Sequence, residues 1–165
     1  MAAAAAAHPL VGKRFPAATL YEGTPGGAVA VGDLLAGKKV VVFGVPGAFT
    51  PGCTKTHLPG YVAAREALAA KGVAEVVCTS VNDPFVMAAW GTASGADGKV
   101  RMLADPKAEL ARALGVEIDM AVLGGLRSKR YSALVEDGVI TAFNLEPDGT
   151  GLTCSLAPGI MAALK

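Results

Sequence analysis

Three cysteines stand in 165 residues, Cys53, Cys78 and Cys154, and no two of them form a Cys-x-x-Cys pair. The count is odd, so at least one thiol stays outside any internal bridge, and neither a disulfide framework nor a zinc cage fits the spacing. Cys53 has the setting for chemistry. It closes the segment Pro46-Gly47-Ala48-Phe49-Thr50-Pro51-Gly52-Cys53, between an apolar β-branched run and a helical pattern. Thr50 suits an N-cap, and Pro51 suits the first helical position, where a missing N–H costs nothing. Gly52 and Cys53 then fall at N2 and N3, near free backbone N–H groups and the positive end of the helix dipole. Such surroundings draw a thiol from its usual ~8.5 toward ~3.5–7.5, and the thiolate is the nucleophile. The bland alternative is a buried, inert cysteine acting as a small hydrophobe. The strand, Pro/Gly loop and helix start around Cys53 favour the reactive reading.

Two other loop chemistries fail on single residues. Gly47 to Thr54 comes close to the phosphate-binding pattern Gly-x4-Gly-Lys-Ser/Thr in the right strand–loop–helix setting. Cys53 stands where the lysine belongs, Lys55 falls two residues late, and Pro51 deletes an N–H that would cradle phosphate. A phosphatase loop Cys-x5-Arg would need arginine where Pro59 stands. His57, one turn beyond Cys53, could face the site and is read as a structural hydrogen-bonding residue.

These residues need elements to position them. Lys38 to Val45 (KKVVVFGV) reads as a buried strand, Pro46 to Gly52 as a loop and His57 to Ala70 as a helix ended by Lys71-Gly72. Ala74 to Val81 is a second buried strand. Asn82-Asp83-Pro84 opens a helix reaching about Ala93. Val100 to Ala104 is a short strand, and Ala108 to Leu114 a short helix capped by Gly115. Tyr131 to Glu136 and Val139 to Asn144 form a hairpin across Asp137-Gly138. Thr153 to Leu164 reads as a terminal helix. Strand–helix alternation followed by a hairpin predicts an α/β fold, a mixed central sheet with helices on both faces in thioredoxin-like outline.

The length fits one domain. Residues 1–10 read as an Ala-rich disordered extension and 11–165 as the folded domain. The extension lacks the basic and long apolar regions of a secretory signal and the arginines of a transit peptide. Fifteen Lys and Arg against fourteen Asp and Glu leave a net charge of +1. That near-balance argues against nucleic-acid and membrane-surface partners. No apolar run approaches the ~20 residues of a spanning helix.

The stretch PGAFTPGCTKTHLPGY, from Pro46, closely resembles the active-site segment of the peroxiredoxins, specifically the peroxiredoxin-5 or type II (atypical two-Cys) subfamily. The family pattern Pro-x-x-x-Thr-x-x-Cys is met by Pro46, Thr50 and Cys53. Cys78 to Trp90 (CTSVNDPFVMAAW), Arg101 to Pro106 (RMLADP) and Glu146 to Pro158 (EPDGTGLTCSLAP) are similar to the same subfamily. The resemblance runs over nearly all of the chain after about Val11.

It implies a thioredoxin-fold peroxidase for hydrogen peroxide, alkyl hydroperoxides and peroxynitrite, with no metal, haem or other cofactor. Cys53 would be the peroxidatic cysteine, its thiolate becoming a sulfenic acid. The Thr50 hydroxyl would bond thiolate and peroxide, and Pro46 would shield the sulfur from water. The family's arginine maps onto Arg130, in Ser128-Lys129-Arg130-Tyr131. Fixed donors suit a displacement that builds charge on the leaving oxygen, and an arginine keeps its proton. Arg127 and Lys129 are read as surface residues.

Two thiols could resolve the sulfenic acid. Cys154 matches the resolving segment of animal-type peroxiredoxin-5 proteins, and Cys78 the position used in plant type II enzymes. Cys78 sits mid-strand, whereas Cys154 follows a Gly-rich turn that can move, so Cys154 is preferred. Either bridge requires the first turn of the Cys53 helix to unwind, which Gly52 eases. The resemblance further implies reduction by thioredoxin or by glutaredoxin/glutathione, and a homodimer. The expected compartment is the cytoplasm, or an organelle after removal of a targeting segment. A peroxide sensor or redox relay would use the same residues.

Overall fold

The structure is a computed structural model that describes residues 7–164. In chain order its elements are β1 (Thr19–Glu22), β2 (Ala28–Ala30), α1 (Val31–Leu35), β3 (Lys39–Gly44), α2 (Leu58–Ala70), β4 (Glu75–Ser80), α3 (Pro84–Ala93) and β5 (Arg101–Ala104). There follow α4 (Glu109–Leu114), β6 (Glu117–Met120), β7 (Gly125–Ser128), β8 (Tyr131–Glu136), β9 (Val139–Leu145) and α5 (Ala157–Ala163).

The β-branched runs become the centre of the sheet. β3 pairs in parallel with β4, and β4 with β5. β8 and β9 add antiparallel strands on one side, and β1 and β2 on the other. The order across the seven strands is β2-β1-β5-β4-β3-β8-β9. Side chains alternate across a strand, and β3 shows the result. Val41 and Phe43 join a core with Cys53, Leu58, Tyr61 and Trp90. Val40 and Val42 join a second core with Leu34, Leu35, Leu110 and Leu114. Helices α2, α3 and α5 therefore cover one face, and α1 and α4 the other. The α/β, thioredoxin-like arrangement with helices on both faces agrees with the sequence reading.

Several signals act as expected. Asp83 caps α3, its carboxylate accepting the Val86 N–H at 2.9 Å, with Pro84 in the first turn. Asp137 and Gly138 both have positive φ, +47° and +78°, as a tight hairpin turn requires.

The departures have physical causes. β1, β2 and α1 lie in a stretch with no pattern strong enough to predict them, and β6 and β7 form a separate two-stranded sheet around Gly124. The terminal helix begins at Ala157, not Thr153. Of the expected 1–10 extension, residues 1–6 lie outside the described residues. His8, by contrast, packs its ring on Phe143 at a centroid distance of 4.7 Å, and Leu10 packs against the second core. The Gly12 N–H then donates to Ile140 O at 2.8 Å.

Candidate active site

At the C-terminal end of β3 the Val45 N–H donates to Thr79 O on β4. The chain then turns away through Pro46, which is buried. The Ala48 N–H is held by Asn82 Oδ1 at 3.0 Å, and Phe49 takes a left-handed φ of +63°. Helical backbone starts at Pro51 and widens at once into a π turn over Cys53–His57. There the Leu58 N–H donates to Cys53 O, five residues back. Such widened turns recur at functional sites. Cys53 is wholly buried, with a free thiol.

Thr50 precedes this helix as expected, yet its hydroxyl caps no N–H. It lies 2.7 Å from Gly47 O and 2.9 Å from Cys53 Sγ. A hydroxyl has one proton and can also accept. Donating to Gly47, it is free to accept a thiol S–H; turned to sulfur, it serves a thiolate. The proximity of Thr50 to its neighbour three residues on thus goes to sulfur chemistry.

Arg130 enters from the strand beside β3, in the link between β7 and β8, next to Tyr131, which pairs with Gly44 at the end of β3. It is only 4% exposed. Its Nη1–H groups donate to Cys53 Sγ at 3.4 Å and to His57 Nδ1 at 3.3 Å. Its Nε–H donates to Thr150 O at 3.3 Å, and its backbone N–H to Gly149 O at 2.7 Å. A Cβ on Gly52 would stand 3.0 Å from Arg130 Nη2, so the glycine makes room for the guanidinium.

His57 does both things considered for it. Its Nε2 lies 3.1 Å from Ser155 O, which also accepts the Tyr61 hydroxyl at 2.8 Å. A carbonyl on one side and a guanidinium on the other fix the tautomer: Nε2 carries the proton and Nδ1 accepts. Burial and the neighbouring Arg130 charge hold its pKa down to about 3. It is neutral at physiological pH and supports Arg130 as an acceptor, not as an acid.

Cys154 lies in the irregular segment before α5. That segment is shaped by Glu146, at the end of β9, which has no solvent exposure. The carboxylate accepts the N–H of Thr153 at 2.9 Å, of Cys154 at 2.9 Å and of Ser155 at 2.8 Å, and the Thr153 hydroxyl as well. Burial pushes this carboxyl up, but the bonds from Thr153 and the backbone N–H groups outweigh it and hold it to about 2. The helix starts only at Ala157 because Pro158 has no N–H and suits the first turn; in a helix begun at Thr153 the Cys154 carbonyl would lack its partner four residues on. The half-exposed Cys154 thiol lies 3.4 Å from Leu145 O and 3.5 Å from Glu146 Oε2, and burial and the carboxylate raise its pKa.

Cys78 sits in β4, opposite Phe43 and Met102 on its two neighbouring strands. It is wholly buried in the same core as Cys53. Burial, and secondarily Cys53, push its thiol up.

Arg127 differs from the surface expectation. It is half-buried, donating from Nη1 to Val81 O at 3.2 Å and from Nη2 to Leu123 O. It thereby ties the β6–β7 hairpin to the end of β4 beside the Cys53 loop. Lys129 is also partly buried, with its N–H on Val116 O. Among the described residues, no three His, Cys, Asp or Glu side chains gather as metal ligands would. Nor is any helix there long and apolar enough to cross a membrane.

The Redoxin family matches residues 10–157. A chloroplastic peroxiredoxin of rice, peroxiredoxin-2E-2 from Oryza sativa subsp. japonica, is 46% identical over 162 residues, 93% of this chain and 72% of its own. The chain is a peroxiredoxin. Its fold superposes on reduced Prx3 from Vibrio vulnificus in complex with hydrogen peroxide, with 48% identity and a TM-score of 0.87, covering 94% of this chain and 98% of that one. Peroxiredoxin 5 from Alvinella pompejana matches at 38% identity and a TM-score of 0.83, covering 93% and 96%. This peroxiredoxin is accordingly a thiol peroxidase, which reduces peroxide through cysteine.

In this peroxiredoxin, Thr50, Cys53 and Arg130 come together from two separate stretches of chain, and Pro46 is buried at the start of the first. Sequence reasoning missed Glu146, Tyr61 and the Gly149–Thr150 carbonyls. The signal for Glu146 was an acidic residue heading a Pro-Asp-Gly turn, which says nothing of what its side chain reaches.

Proposed function

We propose that Cys53 is the thiol that meets peroxide and Cys154 the thiol that resolves it. The observation carrying this reading is the pair of donors on one buried sulfur, the Thr50 hydroxyl at 2.9 Å and the Arg130 guanidinium at 3.4 Å. The Cys53 thiolate attacks one oxygen of ROOH. The S–O bond forms, the O–O bond breaks, and RO⁻ leaves and takes a proton to become ROH. Sulfur is oxidised by two electrons to the sulfenic acid. Arg130 and Thr50 stabilise charge as it passes from sulfur to the departing oxygen, fixed donors needing no reorganisation. Pro46 keeps bulk water from the sulfur. Hydrogen peroxide, alkyl hydroperoxides and peroxynitrite all offer the required O–O bond.

The Cys154 sulfur then attacks the Cys53 sulfenic sulfur. An S–S bond forms, the S–O bond breaks, and hydroxide leaves with the thiol proton as water. The setting of Cys154 outside any helix or strand, where only side-chain bonds hold it, supports it over Cys78, which could leave β4 only by breaking two ladders. Thioredoxin or glutaredoxin/glutathione supplies the electrons that reopen the disulfide. The work is done where such thiols abound, in the cytoplasm or, as for the rice relative named chloroplastic, in an organelle.

Phe49, Phe85, Val122 and Leu152 are large, apolar and exposed. They lie on the Cys53 loop, the start of α3, the β6–β7 turn and the Cys154 approach, so they fringe one edge of the site. We assign this edge to self-association in a homodimer.

Peroxide consumption with a thioredoxin or glutaredoxin system is the test. Turnover in the unaltered protein and its loss in Cys53→Ser are expected. Full turnover in Cys53→Ser would contradict the assignment, and absence of turnover with every dithiol donor would leave a redox relay as the function.

A further inference from the structure

Glu146 is a buried carboxylate with no salt bridge to a cation among the described residues. Burying a charge is costly unless hydrogen bonds replace its water. Here all the replacing donors come from three consecutive residues, Thr153, Cys154 and Ser155. The dependence runs both ways. Those residues belong to no helix or strand, so the carboxylate is what gives their backbone N–H groups partners.

The opposite side of the same segment is held by the site itself. Ser155 O accepts from His57 and Tyr61, and His57 accepts from the guanidinium that also touches Cys53 Sγ. The Cys154 segment is thus gripped between Glu146 on its N–H side and the Cys53 site on its carbonyl side. While gripped, the thiol faces two acceptors, Leu145 O and Glu146 Oε2, and no electrophile.

We propose that Glu146 is a positioning residue, a carboxylate latch that docks the Cys154 segment in the reduced protein and whose release gates disulfide formation. The proposal rests on Cys154 being the resolving thiol. For Cys154 to form its S–S bond with Cys53, its sulfur must leave Glu146 and Leu145, carrying its own N–H and that of Ser155 off the carboxylate. The backbone of Glu146 stays behind: its N–H donates to Arg130 O at 3.0 Å. The latch opens through side-chain bonds while the chain that supports Arg130 keeps its place. The latch therefore slows resolution and stabilises the dithiol relative to the disulfide.

The test compares Glu146→Gln and Thr153→Val with the unaltered protein in stopped flow after mixing with hydrogen peroxide. Trp90, the single tryptophan, donates to Thr54 Oγ1 in the turn beside Cys53 and reports both phases. Glutamine can accept along one side only. The ratio of the disulfide-forming rate constant to the sulfenate-forming one should rise about tenfold, the factor of one lost hydrogen bond. The disulfide potential should become more negative by about 30 mV, the same tenfold in a two-electron couple. A merely structural defect slows both phases and leaves their ratio and the potential alone. Thr153→Val removes only the hydroxyl, should shift both in the same direction by less, and decides the matter if Glu146→Gln does not fold. An unchanged ratio and potential, with a Cys53–Cys154 bridge still mapped by mass, would overturn the latch and leave the resolving thiol standing. Undiminished disulfide formation in Cys154→Ser would overturn the resolving thiol and the latch with it.

Discussion

In the proposed cycle Cys53 carries the reaction, and its surroundings decide how fast it goes. Replacing Thr50 by valine keeps shape and removes the donor at 2.9 Å. Replacing Arg130 by lysine keeps charge and removes the fork that meets sulfur, His57 and Thr150 together. Each should lower the second-order rate constant with hydrogen peroxide about 10²–10³-fold, the usual cost of one preorganised donor. Thr50→Ser should recover most of the loss, and stopped-flow oxidation of the reduced protein reads all three. At this scale Cys53 was legible from sequence because its loop and helix start are contiguous, and a sequence displays local geometry. Arg130 was reachable only through resemblance, because nothing in Ser128-Lys129-Arg130-Tyr131 shows that the following strand pairs with the one leading into the Cys53 loop. Thr50 was read as a cap from its spacing, and a bond to sulfur was implied only by the resemblance; the loop turns the hydroxyl to Gly47 O and sulfur.

The elements hold these groups through close contacts that leave little slack. Gly44 on β3 faces Tyr131 on β8, the neighbour of Arg130, and a Cβ there would meet the ring carbon Cε1 at 2.2 Å. The ring is buried and stacked on Phe143, so it cannot swing aside. Gly44→Ala should destabilise the fold by about 1–3 kcal/mol, the range for overpacking a filled core. Equilibrium urea unfolding measures this, and an unaltered midpoint would contradict it. The buried strands β3 and β4 and the Asp137-Gly138 hairpin were legible because their residue types match their periodicity and turn geometry. The segment 153–156 was misread as helix because its composition permits one, although Pro158, lacking an N–H, belongs in a first turn and so sets the start of α5 at Ala157. Short β6 and β7 carry four residues each, too few to show a period.

The whole molecule inherits an acid sensitivity from the site. Unfolded, His57 takes a proton near 6.5; folded, it refuses one until about 3. Stability should therefore be full above pH 6.5 and decline as pH falls toward 3. Glu146 adds to the decline between about 4.5 and 2, because its carboxylate is favoured in the folded state. Asp105, raised by burial, works in the opposite direction. Urea midpoints from pH 7 to 3 should fall, and His57→Asn should flatten the upper part of that curve; a slope unchanged in this variant would remove His57 as its source.

Association belongs to the same scale. Phe85→Asp combined with Val122→Asp should turn a dimer into a monomer by sedimentation, whereas a protein already monomeric at micromolar concentration would dismiss the apolar edge as an interface. The mixed sheet with helices on both faces was foreseeable from the order of its central elements. The flanking strands β1 and β2 were not, since β1 is fixed to β5 by pairing and by the Arg101–Glu22 ion pair, contacts across long stretches of sequence, and β2 pairs with β1.

In the proposed cycle peroxide oxidises Cys53 and Cys154 then closes on it. Peptide mass mapping of the reduced protein after one equivalent of hydrogen peroxide tests this most directly, with a sulfenic-acid trap present in a parallel sample. Trapped sulfenic acid on Cys53 is expected and, without the trap, a bridge from Cys53 to Cys154. Oxygen on another cysteine with Cys53 still a thiol, or a bridge from Cys53 to Cys78, would contradict it.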